Sequence, residues 1–97
     1  WDEVLAAYKA LEHNEAGADA WRGQGGPLFI NQNRSGLHWL VGDYIAACGE
    51  AGLPYNPDFN GERQEGAGTY QMTIRKSRRN SSARAFLHPA MKRGTCG

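Results

Sequence analysis

Cysteine is scarce in this sequence: Cys48 and Cys96 are the only two in 97 residues. They form no Cys-x-x-Cys pair and neither has a histidine at ligand spacing, which excludes the common zinc and dithiol motifs. Nothing points to an oxidising compartment, so no disulfide between them is expected. Long apolar runs are also missing. None approaches the roughly 18 residues that a membrane-spanning helix needs. The opening Trp1-Asp2-Glu3 is acidic and lacks the basic start of a secretion signal. These absences together lead to the expectation of a soluble, cytoplasmic protein without membrane contact. Acid is missing too, but only from one end. Residues 1–65 carry ten acids and four bases, a formal charge of −6; residues 66–97 carry seven bases and no acid, +7. Such a split suits a basic arm for nucleic acid or attraction between the two halves, within a chain or between copies.

Apolar residues make up 40% of the chain, enough for one domain spanning 1–97 with a modest core. The periodicity predicts a helix over 2–13, with Val4, Leu5, Tyr8 and Leu11 on one face. A second is predicted over about 36–51, with Ser35 as N-cap and Leu37, Leu40, Val41, Tyr44, Ile45 and Cys48 as its stripe. Gly52, Leu53 and Pro54 supply its stop. Residues 28–32 read as a short strand. Residues 69–76 alternate, with Tyr70, Met72 and Ile74 on one side, and read as another. Ser81 or Ser82 then caps a last helix over 82–88, which Pro89 ends or kinks. The expected fold class is α+β: three helices on a small antiparallel sheet, the first two packing on Tyr70, Met72 and Ile74. Two strands alone are marginal, so oligomerisation is expected to complete the sheet edges.

Catalytic chemistry is not visible in the residues. His13, His38 and His88 fall on three different elements, and none pairs locally with a carboxylate or cysteine. Ser81 and Ser82 lack a nucleophile elbow and serve better as caps. Asp43 and Glu50 share the polar face of the second helix, where solvation is their ordinary fate. The "GQGG" at 23–26 lacks the preceding strand and following helix of a phosphate loop. Arg75, Lys76, Arg78 and Arg79 offer charge for phosphates. The one nearby aromatic, Tyr70, sits on the apolar side of its strand, which leaves nucleic-acid binding through 75–93 a weak alternative. The expectation is therefore no catalytic, no cofactor-binding and no metal-binding residue in this chain.

The order of motifs carries more. "HNE…GGPL", "NPDFNGERQEG", "YQMT" and "SSARAFLHPA" resemble, in that order and across residues 1 to about 93, an internal segment of the glucose-methanol-choline (GMC) oxidoreductases, in particular the choline dehydrogenase-like branch. Three departures stand out. Ala6-Ala7-Tyr8 replaces a usual Pro-Tyr-Phe run, Ser77 stands where the family usually has glycine, and "GTCG" replaces a Pro-Asn-Leu segment and the strand that follows it. The resemblance implies a parent enzyme that passes hydride from an alcohol to FAD. The family's Gly-x-Gly-x-x-Gly turn and its C-terminal catalytic histidine have no matching positions here, and His13, His38 and His88 do not replace them. The reading is thus a fragment of an FAD-dependent alcohol or choline dehydrogenase, inactive alone, with no FAD bound by itself and a small-molecule alcohol as substrate only in the complete enzyme. The alternative is a self-associating interaction module derived from that family.

Overall fold

A computed structural model describes residues 1–95 of the chain; Cys96 lies outside them. The residues divide into two compact units, one of 1–31 with 72–95 and one of 32–71.

In the first unit, α1 covers Asp2–Leu11. It carries Asp2 and Glu3 in its first turn and Lys9 in its last, charges that match the helix dipole. It stops two residues before the expected end because Glu12 turns extended, with φ −91° and ψ 142°. Glu12–Asn14 then form β1, where the periodicity predicts helix as far as residue 13. β1 pairs in parallel with β2, Leu28–Ile30, in the register Glu12 with Leu28 and Asn14 with Ile30. The expectation of a purely antiparallel sheet is corrected here. A parallel pair needs a crossover of about a dozen residues, and the glycine-rich stretch 15–27 provides it without a helix.

The expected antiparallel pairing of 28–32 with 69–76 exists at one bridge. Asn31 donates its N–H to the Met72 carbonyl at 2.7 Å and accepts from the Met72 N–H at 3.0 Å. Regular strand then resumes as β3, Ile74–Arg75, which folds back antiparallel onto β4, Arg78–Arg79. The two-residue turn between them puts Lys76 at φ +49° and Ser77 at φ +58°. Positive φ at both central positions is the type I′ geometry that matches strand twist, and it favours Asn-Gly over Lys-Ser. A left-handed conformation disfavours a residue with a Cβ by about 1–2 kcal/mol. Part of any gain from glycine is offset by its freer unfolded chain. Ser77→Gly is therefore expected to stabilise the hairpin by roughly 0.5–1 kcal/mol. Slower amide exchange at 74–79 and a higher denaturation midpoint report it; an unchanged midpoint contradicts it.

After β4 the chain forms a π-helical turn, Ala83–Leu87, that runs into α3, His88–Met91. Pro89 explains the wide turn. Its ring would collide with the carbonyl four residues back and it offers no N–H. Widening the helix removes that contact, and the His88 N–H bonds instead to the Ala83 carbonyl, five residues back. Of the two candidate caps, Ser81 acts: its Oγ accepts the Arg84 N–H at 3.4 Å, whereas Ser82 makes no side-chain cap bond.

In the second unit, α2 covers Leu40–Glu50. It begins four residues later than expected because Gly36 sits at φ +75°, outside helical space. Ser35 does not cap it. His38 does so through Nδ1, which accepts the Leu40 N–H at 3.3 Å. The C-terminus follows the sequence signal. Gly52 at φ +93° donates to the Gly49 carbonyl and Leu53 to the Cys48 carbonyl, the two bonds of a Schellman motif.

The core departs most from expectation. Neither α1 nor α2 contains a buried residue, and Tyr70 and Met72 are exposed. The apolar faces of the first two helices therefore do not bury against that strand. Among the described residues the buried hydrophobic side chains are only Ala67 and Ala85, while Asn14, Arg22, Asn56 and Asn80 are buried. Each unit is organised around hydrogen-bonded polar side chains.

Candidate functional site

The densest polar arrangement is a clasp at the end of α1. Glu12 is the first residue of β1, and Arg22 lies ten residues on, in the crossover. Arg22 Nη2 donates to Glu12 Oε1, with the two side chains 8% and 14% exposed. Glu12 Oε2 accepts the Gly23 N–H at 2.9 Å. Asp19 turns the approach to Arg22, its Oδ1 accepting the Trp21 and Arg22 N–H groups at 2.7 and 2.6 Å. Lys9 Nζ reaches back from α1 to the carbonyls of Asp19 and Ala20. Asn14, 1% exposed, accepts the Ala16 N–H at 2.9 Å and so starts the crossover. This constellation was not found in the sequence. A lone arginine in a loop and an acid at a helix end, ten residues apart, give no periodic signal.

Two glycines of the crossover, Gly23 and Gly26, face the helix. A Cβ on Gly23 would lie 1.9 Å from the Lys9 carbonyl oxygen, and one on Gly26 would lie 2.3 Å from the Leu11 carbonyl carbon. That stretch is filled by protein backbone, so it is not an open cradle for a pyrophosphate, which needs N–H groups pointing at a ligand.

The three histidines remain apart in role. His13 Nδ1 accepts the Gly25 N–H at 3.1 Å, and its ring stacks on Phe29 with centroids 5.4 Å apart. His38 caps α2. His88 is exposed at the junction of the π turn and α3. None makes the carboxylate contact that would orient a general base. Asp43 and Glu50 are exposed on α2. Cys48 is a free thiol. The Tyr44 phenol, one turn earlier, is raised above its ordinary pKa, first through the Cys48 side chain as a hydrogen-bond partner. Among the described residues no group of His, Cys, Asp or Glu is placed to hold a metal ion, and no helix is long and apolar enough to cross a membrane.

In the basic segment, charge gathers around open space. Arg75, Lys76, Arg78, Arg79, Asn80 and Arg84 line a depression of about 540 Å³. The hairpin supplies four of the cations and the π turn the fifth. Asn80 is buried and fixes the hairpin's exit, its N–H donating to the Thr73 carbonyl at 2.7 Å and its Nδ2 to the Pro27 carbonyl at 3.4 Å.

The second unit has its own polar hub. Asn56, 6% exposed, donates from Nδ2 to the carbonyls of Arg63 and Glu65 at 2.7 and 3.0 Å and accepts the Asp58 N–H at 3.0 Å. Gly66 and Gly68 let the returning chain lie on it; a Cβ on Gly68 would be 2.1 Å from the Asn56 carbonyl oxygen. The second hub falls in the motif "NPDFNGERQEG", which gives that motif a structural rationale, and Asn14 is the one residue of the first hub inside "HNE".

Known proteins match nearly the whole of this chain. The chain is 41% identical over 91 residues to an oxygen-dependent choline dehydrogenase of Brucella anthropi, covering 94% of this chain and 16% of the relative. It is 42% identical over 91 residues to the same enzyme of Rhizobium meliloti, again covering 94% and 16%. The crystal structure of pyridoxine 4-oxidase from Mesorbium loti superposes with a TM-score of 0.84 at 33% identity, covering 95% of this chain and 18% of that one. The chain thus spans about one sixth of the length of the curated relatives it matches. The sequence pattern of the GMC oxidoreductases matches residues 1–96, and the chain belongs to that family.

Proposed function

We propose that these residues act as a scaffold segment of an FAD-dependent alcohol oxidoreductase of the choline dehydrogenase type, and that they neither retain flavin nor oxidise alcohol alone. Full-length members of the family carry FAD. Bound flavin supplies the hydride acceptor, whereas Gly23 and Gly26 of the crossover are closed to its pyrophosphate. Both are packed on helix backbone, Gly23 on Lys9 and Gly26 on Leu11. His13 and His38 are engaged in holding local backbone.

The observation that carries the reading is the combination of a strong match with small coverage: 41% identity over nearly all of this chain, but 16% of the relative. Exposed apolar side chains support it. Val4, Tyr8 and Leu11 on α1 and Leu40 and Tyr44 on α2 are open to solvent, as expected of faces that the remainder of an enzyme covers.

A segment exchange tests the proposal. The 91 residues of this chain that match the Brucella anthropi enzyme replace the corresponding segment of that enzyme. The chimera is expected to purify with flavin and to consume oxygen in the presence of choline, while the 97-residue chain alone does neither. A folded chimera devoid of flavin, or stoichiometric FAD with alcohol oxidation by the chain alone, overturns it.

A further inference from the structure

The cationic depression has a use that the flavoenzyme reading does not absorb. Arg75 and Arg78 are directly opposite on the β3–β4 hairpin. Like charges at that position are destabilising. The turn that joins them holds two non-glycine residues at positive φ. Arg75 is further fixed by Phe29, whose ring centroid is 5.7 Å from the guanidinium carbon. Arg84 arrives from the π turn that Pro89 imposes. Repulsion, left-handed backbone and an irregular helix thus converge on one depression. No carboxylate lines it, and among the described residues none of its five cations is ion-paired.

We propose that this depression binds the phosphate groups of a small phosphorylated ligand. Charge selects the class. A carboxylate brings one negative charge to five cations, whereas a phosphomonoester brings about −1.5 to −2 at neutral pH and a diphosphate brings more. Guanidinium forks match phosphate oxygens in pairs, and four of the five cations are arginines. The roughly 540 Å³ opening accommodates a ligand of that size. The buried Asn80 holds the hairpin's end in place, so the cations are presented from ordered backbone rather than from a tail.

Titration of the folded 97-residue chain with inorganic pyrophosphate by calorimetry, at low salt, tests the proposal. One-to-one binding is expected, weakened at least tenfold in the double variant Arg75→Gln with Arg84→Gln. Lys92→Gln, which removes a charge outside the depression, is expected to leave affinity unchanged. Circular dichroism verifies that each variant stays folded, as the exposure of these side chains leads one to expect. Equal losses in the Lys92 variant mark binding by net charge alone and overturn the site. Binding of pyrophosphate no tighter than that of sulfate at matched ionic strength also overturns it. So does a single-stranded oligonucleotide that binds here and is not displaced by pyrophosphate, because it assigns the surface to a polymer.

Discussion

Arg22→Ala is expected to remove about 3–5 kcal/mol from the stability of the first unit, the range for breaking a buried ion pair by deleting one partner. The reason is what stays behind. Glu12 keeps its Gly23 N–H bond and a long contact from Asn14 Nδ2 at 3.5 Å, but its carboxylate, 14% exposed, loses the charge that offset its desolvation. Small domains are stable by only about 5–15 kcal/mol in total, so the variant sits near the edge of folding. Urea denaturation measures the loss. Arg22→Lys is expected to fall between the two, because the ammonium retains charge without the planar fork. Replacing both partners, Glu12→Leu with Arg22→Met, is expected to cost less than Arg22→Ala alone, since no uncompensated charge remains. A loss below 1 kcal/mol in Arg22→Ala would show that the clasp does not hold the crossover to α1.

The legible part of this fold was the part written in local chemistry. Gly52, Leu53 and Pro54 announce the end of α2, and the backbone bonds of Gly52 and Leu53 follow the signal. The motif order "HNE…GGPL" to "SSARAFLHPA" led to the family, and the match over residues 1–96 agrees. The helix stripes were legible as patterns but misled about burial, because Val4, Tyr8, Leu40 and Tyr44 are exposed in this chain. A stripe shows which face can be covered and says nothing of what covers it. β1 was invisible for another reason. Glu-His-Asn offers no apolar alternation, and the strand is defined by backbone pairing with residues Leu28–Ile30 far along the chain. Asparagine is a turn-forming residue type, and Asn14, Asn56 and Asn80 are buried. Their burial was not legible, because the carbonyls they serve belong to remote residues such as Pro27, Arg63 and Glu65. The positive run 75–84 was visible as charge. Its gathering into a depression depends on the left-handed pair Lys76-Ser77, a conformation that the residue types themselves disfavour.

Asn56 gives the sharpest test of a fold held by polar side chains. Asn56→Ala removes two donated bonds and one accepted bond at a site 6% exposed, and it leaves the Arg63 and Glu65 carbonyls and the Asp58 N–H without that partner. With each buried hydrogen bond contributing about 1 kcal/mol and orphaned groups adding a desolvation penalty, the expected loss is about 3–4 kcal/mol. Asn56→Asp separates packing from hydrogen bonding, because it preserves shape. It keeps the acceptor for the Asp58 N–H but turns a carboxylate oxygen toward two carbonyl oxygens, so at neutral pH it is expected to be worse than alanine. Protonation gives that carboxyl one donor. The pKa of the introduced group in the folded state then lies above its unfolded value, so the stabilising contact is present in acid and is lost as pH rises through the folded value. Asn56→Asp alone should thus gain stability relative to Asn56→Ala on acidification. Trypsin cleavage after Arg63, in the loop that Asn56 ties down, provides the readout: fastest in the aspartate variant and slowest in the native chain at neutral pH. Equal cleavage rates in all three would mean that Gly66, Gly68 and the backbone pairing of Asn56 with Ala67 close the loop without the side chain.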